Sequence, residues 1–509
     1  MGDCRTLPLF VIGDSLSQGL ISGTVSGADR GWPVWLAKAL AAPDPQDPGW
    51  PTPLWPAGGL PVDLEAVFHR LESLARARRP DVWLAATAQV NDVLDQAETH
   101  YERGPGSTRR DRPGQWADDP PWWPNVASFG FMVADAWQVT PGLCQQLIGA
   151  DRGLLSDGFL SGPSRPFHRS ALRMLNPRLD AALDDHSQVV WLARHAEERG
   201  IRRVVCWLGA NNAIAAASHL SIRPTPGEAG RDLAGLDHLA RAARGWTVWS
   251  PADFAADYAT LADHLEAAMR RNRDPHWRVY LGTLPHLTSA ALLRGVGGRR
   301  VVEGVHHPEA WTWFPFGESF VADGGPHLCR DQGLFLDATI DAYNATIRHT
   351  ARVLNAGLAR PRWIVVETGA ALDGAAWTRT GGRPRVALPR ALRARTGPLD
   401  GRFFHAAPAR RNGRRVARGG LVSLDGLHPT VIGHGLLADL FLQAMRTQGQ
   451  APPGAGIDWP AVVAADRLWT DPPRSLHLIR ALRRLSGVIL LTARALHHRA
   501  PGPTSTPRP

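Results

Sequence analysis

The chain has 509 residues, 44% of them hydrophobic, and a net charge of +10 from 57 basic and 47 acidic side chains. That length predicts one large domain with long insertions, or two domains, and no run reaches the roughly 18 uninterrupted apolar residues of a membrane span. The charge does not mark a nucleic-acid partner, because the basic residues are arginines spread along the chain, with Lys38 the only lysine.

The first predicted element begins at Leu9, in "LFVIGDSLSQG". An apolar run closed by Gly13 predicts an interior strand, and Ser15 just after it stands where open parallel sheets carry their ligand sites. The same Asp14-Ser15 pair suits a helix N-cap, so the residues alone leave nucleophile and cap as alternatives. No basic flank or cleavage site precedes this strand, which predicts a cytoplasmic chain. Further interior strands are predicted at a weak "NVAS" from Asn125, "RVVCWLG" from Arg203, "WRVYLGT" from Trp277 and "RWIVVET" from Arg362. Between them, Phe254, Tyr258, Leu261, Leu265 and Met269 keep helical spacing, as do Leu336, Ile340, Tyr343, Ile347 and Leu354. Strands alternating with helices predict an α/β fold around a parallel sheet of about five strands.

Irregular sequence rich in Pro, Gly and Trp fills residues 43–59, 104–124 and 294–333, and an arginine-rich stretch covers 381–420. Long loops of this kind are functional or disordered. A solvated loop and an anion site are both open for the arginine-rich stretch. Trp311, Trp313, Phe314 and Phe316 suit either the wall of an apolar pocket or core packing. His306, His307, His327 and Cys329 lie close in sequence, but their spacing fits no familiar zinc pattern and no metal is expected. The four cysteines, Cys4, Cys144, Cys206 and Cys329, are too scattered for a disulfide framework and read as thiols.

Near the end of the main region, "SLDGLHPTVIGHGLLADLF" sets Asp425 three residues before His428. Within one turn an Asp carboxylate can reach the Nδ1–H of the His, fix its tautomer and leave Nε2 free to take a proton. A cap and a surface histidine would give the same pattern. Residues 1–450 are expected to form the main domain, and 451–509 a Pro-rich linker, a basic helix and a disordered tail. In that helix Leu478, Leu482, Leu485 and Ile489 share a face and Arg480, Arg483, Arg484 and Arg494 lie off it. The pattern suits peripheral contact with an anionic membrane or packing on the main domain.

Taken in order, Gly13-Asp-Ser-Leu, "NVASFG" ending at Gly130, "WLGANN" with Asn211, and Asp-x-x-His-Pro from Asp425 resemble the SGNH, or GDSL-type, hydrolase family. The resemblance covers residues 7–447, including "YLGTLPHL" and "IDAYNATI". It implies a flavodoxin-like, three-layer α/β/α fold with long loop insertions. It also implies a serine esterase or lipase that cleaves small-molecule or lipid esters through an acyl-enzyme, with no cofactor. Ser15 would be the nucleophile, His428 the base and Asp425 its orienting partner, with Ser15, Gly130 and Asn211 forming the oxyanion hole. Asn212 departs from the family, which commonly has Asp there, and Gly58 and Gly59 compete with Gly130. A non-catalytic binding or scaffold protein on the same fold is the alternative, although a protein with no chemistry has no physical need to keep Ser15, Asp425 and His428 together.

Overall fold

Four of the apolar runs pair as one parallel sheet in the order β1 (Phe10–Gly13), β2 (Arg203–Trp207), β3 (Arg278–Gly282), β4 (Trp363–Val366). Near-continuous runs of Val, Ile, Leu and aromatic residues suit strands covered on both faces, and β1 is buried along its whole length. The register sets Gly13 beside Trp207 and Cys206 beside Leu281, so the carboxyl ends of these strands lie level. The computed structural model describes residues 6–41, 50–55, 59–72, 82–98, 101, 118–150, 163–383, 385–402, 404–411 and 414–473. The C-terminal amphipathic run from Leu478, Cys4 and Gly58 lie outside these residues.

The run at Asn125 is not a fifth strand. It lies beside β1 and exchanges backbone bonds with it, Val11 N–H to Pro124 O and Val126 N–H to Val11 O at 3.0 Å each, yet makes only one isolated bridge. Pro124 has no N–H to extend the ladder on one side. On the other, the Ser128 N–H still reaches Gly13 O at 3.2 Å, but the Val126 carbonyl accepts from the Gln188 side chain at 2.7 Å.

The helices that position the site are α1 (Ser15–Gln18), α2 (Trp32–Leu40), α3 (Gln188–Glu198), α4 (Asn211–His219), α5 (Pro251–Arg270), α6 (Arg330–Leu354), α7 (Thr368–Ala375) and α8 (Val431–Thr447). Ser250 caps α5 by accepting the Asp253 N–H, and Pro251 follows where its missing N–H costs nothing. The five apolar positions expected on α5 are all buried. On α6, Leu336, Ile340, Tyr343 and Ile347 are buried and Leu354 partly so. Tyr343 stacks on Phe254 with ring centroids 3.8 Å apart, which joins α6 to α5. Trp32 of α2 stacks on Phe441 of α8 at 4.6 Å, with Trp207 of β2 edge-on to Phe441.

Two stretches that read as irregular carry structure. Within 293–329, the strands Leu293–Val296, Ala310–Trp313 and Leu328–Cys329 form an antiparallel sheet, and Arg300–Val302 pairs with Val305–His307. Trp311, Trp313 and Phe316 are buried there as core. The arginine-rich stretch contains a helix, Arg390–Thr396, and an antiparallel pair, Phe404–Arg411 with Arg414–Gly419. Residues 451–473 return to α8, where Trp459 and Val462 are buried over Gly435. No helix among the described residues is long and apolar enough to cross a membrane.

Gln188 is buried at the start of α3, and its Nε2 donates to Gly13 O at 3.0 Å and Val126 O at 2.7 Å. It therefore ties β1 to the segment beside it. Gln188→Met should leave Val126 O without this donor, while Gly13 O keeps the Ser128 N–H, and cost about 1–3 kcal/mol. Thermal or urea unfolding would register the loss, and an unchanged midpoint would show that the tie carries no stability.

Candidate active site

β1 ends at Gly13, where an added Cβ would lie 2.4 Å from Ser17 Oγ and 3.0 Å from Trp207 O, so the turn from strand into α1 needs a residue without a side chain. Asp14 is the N-cap, accepting the Leu16 N–H at 3.0 Å. Capping and nucleophile candidacy thus fall to different residues. Ser15, the first residue of α1, turns its Oγ to His428 Nε2 at 2.8 Å.

The Asp425 and His428 side chains, 12% and 15% exposed, are joined by Oδ2 to Nδ1 at 2.7 Å. Asp425 also accepts the N–H groups of Leu427 and His428 at 2.8 Å and of Gly23 at 2.6 Å. Burial opposes the charge on Asp425, but His428 and the backbone donors hold its carboxyl below the usual range. Burial likewise opposes a charge on His428, and here Asp425, with Asp14 adding to it, carries the imidazole above its ordinary value. Asp14 is 2% exposed, and burial pushes its carboxyl up to about 7 despite the Leu16 N–H and the nearby His428 charge. The sequence marks Asp14 only as a capping residue. Its nearness to His428, and the burial that works against its charge, are signalled by no local pattern.

The other two candidates open onto the same cavity as Ser15. Gly130 has φ +80°, and an added Cβ would meet the Phe167 ring at 2.8 Å. Of its competitors, Gly59 faces Thr24 and is not in the cavity wall. The N–H groups of Ser15 and Gly130 have no partner among the described residues. Asn211 Nδ2 donates to Phe131 O at 2.9 Å, and an amide carries a second N–H. Asn212 is fully buried, and its Oδ1 accepts the Val133 N–H at 3.0 Å. The two asparagines therefore do different work: Asn211 faces the cavity and Asn212 braces the loop behind it.

Three further supports are invisible as sequence motifs. Gln18 accepts the Phe129 N–H at 2.8 Å and donates to Ser170 Oγ at 2.8 Å. Asn125 donates to Ser17 O at 2.8 Å. His434, buried in α8, accepts the Trp32 N–H and donates to Leu20 O, and burial lowers it to about 4, which keeps it neutral. His306, His307, His327 and Cys329 do not converge with other ligands, and the described residues hold no group of three or more His, Cys, Asp or Glu suited to a metal ion.

The chain matches no known family model and no curated protein. The cavity holds about 840 Å³, with Ser15, Gly130, Asn211 and His428 in its wall and Leu16, Ile214, Leu287, Leu372, Leu436 and Leu440 making much of the rest. A few polar groups set in a largely apolar cleft are the usual form of a small-molecule site.

Asp14→Asn keeps an acceptor for the Leu16 N–H and removes the smaller of the two carboxylate contributions that lift His428, the larger being that of Asp425. The His428 ring pKa, followed by NMR, should fall in the variant, and a value equal to or above that of the parent would refute the coupling.

Proposed function

We propose that the chain is a serine hydrolase that cleaves carboxylic esters, of the SGNH type. The observation that carries this reading is the continuous chain Ser15 Oγ, His428 Nε2, His428 Nδ1, Asp425 Oδ2, with contacts of 2.8 and 2.7 Å, opening onto a cavity whose wall carries unspent N–H donors. His428 Nε2 takes the Ser15 proton as Oγ attacks the ester carbonyl. Asp425 holds the Nδ1–H and stabilises the imidazolium that forms. The carbonyl oxygen becomes an oxyanion and takes hydrogen bonds from the N–H groups of Ser15 and Gly130 and from Asn211 Nδ2. His428 then protonates the leaving alcohol, and a water activated by the same Nε2 releases the acid from Ser15.

The sheet supports the finer fold assignment. With the 124–128 segment counted as an outer edge, the order becomes 2-1-3-4-5, that of flavodoxin-like sheets, and Ser15 stands at the switch point where such sheets bind ligands. Pairing of α2 with α8, and of α5 with both α3 and α6, fits helices in two groups flanking the sheet.

Turnover of p-nitrophenyl acetate tests the reading, since its absence would leave a binding protein as the better account. Ser15→Ala should lower kcat by about 10³-fold or more with an unchanged melting temperature. Retention of the parent rate would displace Ser15 as nucleophile. Asn211→Ala should lower kcat by about 10²–10³-fold with little change in KM, because its bond to the oxygen strengthens as charge develops. Asn212→Ala should act chiefly on stability through Val133. Were the kinetic loss greater at Asn212, the side-chain donor would have been placed one residue off.

A further inference from the structure

The cavity at Ser15 has a second polar end. Along the carboxyl edge of the sheet, β1 leads to Ser15, β2 to Asn211, β3 to His286 and β4 to α7, which carries Asp373. Neighbouring strands lie about 4.8 Å apart, so the β3 and β4 positions are roughly 10 and 14 Å from that of β1. Ser15, Asn211, His286 and Asp373 nevertheless line one cavity, and Ile214, Leu287 and Leu372 contribute apolar wall to it.

This far end is a built cluster. His286 Nδ1 meets Asp373 Oδ2 at 2.5 Å, and its Nε2 meets Asp341 Oδ1 at 3.1 Å. Burial opposes a charge on this ring, and the hydrogen bond and charge of Asp373 raise it above its ordinary value. Ser289 Oγ donates to Asp373 Oδ1. Arg379 is buried and bonds Thr288 and Asp337 through Nη1, while its Nε and Nη2 have no partner among the described residues. His286, Ser289, Asp373 and Arg379 all belong to the cavity wall.

The charges decide what can bind there. Asp337, Asp341 and Asp373 stand against Arg379, His286 and the exposed Arg385 of the same wall, so no positive excess remains to hold an anion. What remains is hydrogen-bonding capacity of both kinds, N–H donors on Arg379 and oxygen acceptors on Ser289 and Asp373. A hydroxyl, which donates once and accepts twice, complements that set.

We propose that this end of the cavity is a subsite for an uncharged hydroxyl group, and that the substrate is an ester whose apolar chain, about eight to ten carbons long, carries a hydroxyl at its far end. The ester half of this statement rests on the function proposed above, and the hydroxyl subsite does not. An unmodified fatty chain would leave Arg379 and Ser289 facing methylene groups, with their water removed and nothing in its place.

Calorimetric titration with octan-1-ol and octane-1,8-diol tests the subsite without turnover. The parent protein should bind the diol about tenfold more tightly, the worth of one net hydrogen bond. Ser289→Ala and His286→Asn should each reduce that preference while leaving the affinity for octan-1-ol within about twofold of the parent. If His286→Asn fails to fold, the small change at Ser289 decides alone. Equal or tighter binding of octan-1-ol by the parent would overturn the subsite, because an apolar end must reject the second hydroxyl. So would a diol preference that survives the Ser289 change. A diol preference in a protein that leaves p-nitrophenyl acetate intact would keep the subsite and remove the esterase reading, and turnover without the preference would do the reverse.

Discussion

The Asp425 carboxylate accepts hydrogen bonds from the N–H groups of Gly23, Leu427 and His428 and from the His428 ring, and these contacts keep it ionised against its own burial. A buried charge without such partners would neutralise itself by taking a proton. With them, Asp425 fixes the His428 tautomer, and His428 in turn faces Ser15. The Gly23 bond matters for a second reason: it fastens the turn after α1 to the loop before α8. Ser22 adds to the same seam, its N–H donating to Ser423 Oγ at 2.7 Å. One carboxylate therefore holds together both the hydrogen-bonded chain from Asp425 through His428 to Ser15 and the two chain segments that supply it.

The loops around this path are held by one another rather than by solvent. Asn211 binds Phe131 O, Asn212 binds Val133 N–H, Gln18 binds Phe129 N–H and Asn125 binds Ser17 O. Each contact crosses from one strand-end loop to the next, so the Gly130 segment is clamped from both sides. Donors fixed in advance need no reorganisation when charge develops, which is the condition under which an oxyanion hole works. His434 shows the contrast with His428 within a single motif. Both of its ring nitrogens are spent on backbone groups, and burial keeps it neutral, so it holds Trp32 and Leu20 in place and has no proton to offer.

The insertion between β3 and α6 has a structural part in the site. Its Leu292 donates its N–H to Gly426 O at 2.8 Å and accepts the Phe314 N–H at 2.8 Å, so the small antiparallel sheet braces the Asp425 to His428 turn. Gly426 has φ +74°, and an added Cβ would sit 2.7 Å from Leu292 N, which leaves glycine the residue that fits there. The tryptophans that gave this stretch its unusual composition are spent on that support: Trp311 is fully buried and packs where Gly333 of α6 has no side chain.

Much of the sheet was legible in the sequence, since runs such as "RVVCWLG" and "RWIVVET" carry the apolar pattern of buried parallel strands. So were the faces of α5 and α6, which follow from helical spacing. The run at Asn125 misled because it does lie along β1, while Pro124 lacks the N–H to extend the ladder on one side and the Val126 carbonyl accepts from the distant Gln188 side chain on the other. The antiparallel strands of the 293–329 insertion were missed because runs of two to four residues between glycines and prolines leave no periodicity to read. Sequence alone determined the candidates Ser15, Gly130, Asn211, Asp425 and His428, because each residue type and its immediate neighbours sit within one short motif. Tertiary structure decided that Asp14 is buried near His428, that Gly130 rather than Gly59 reaches the cavity, and that the cavity runs from Ser15 to a polar cluster at His286 and Asp373. Those outcomes depend on which distant segments become neighbours and which groups lose their water, and the order of residues along a chain records neither.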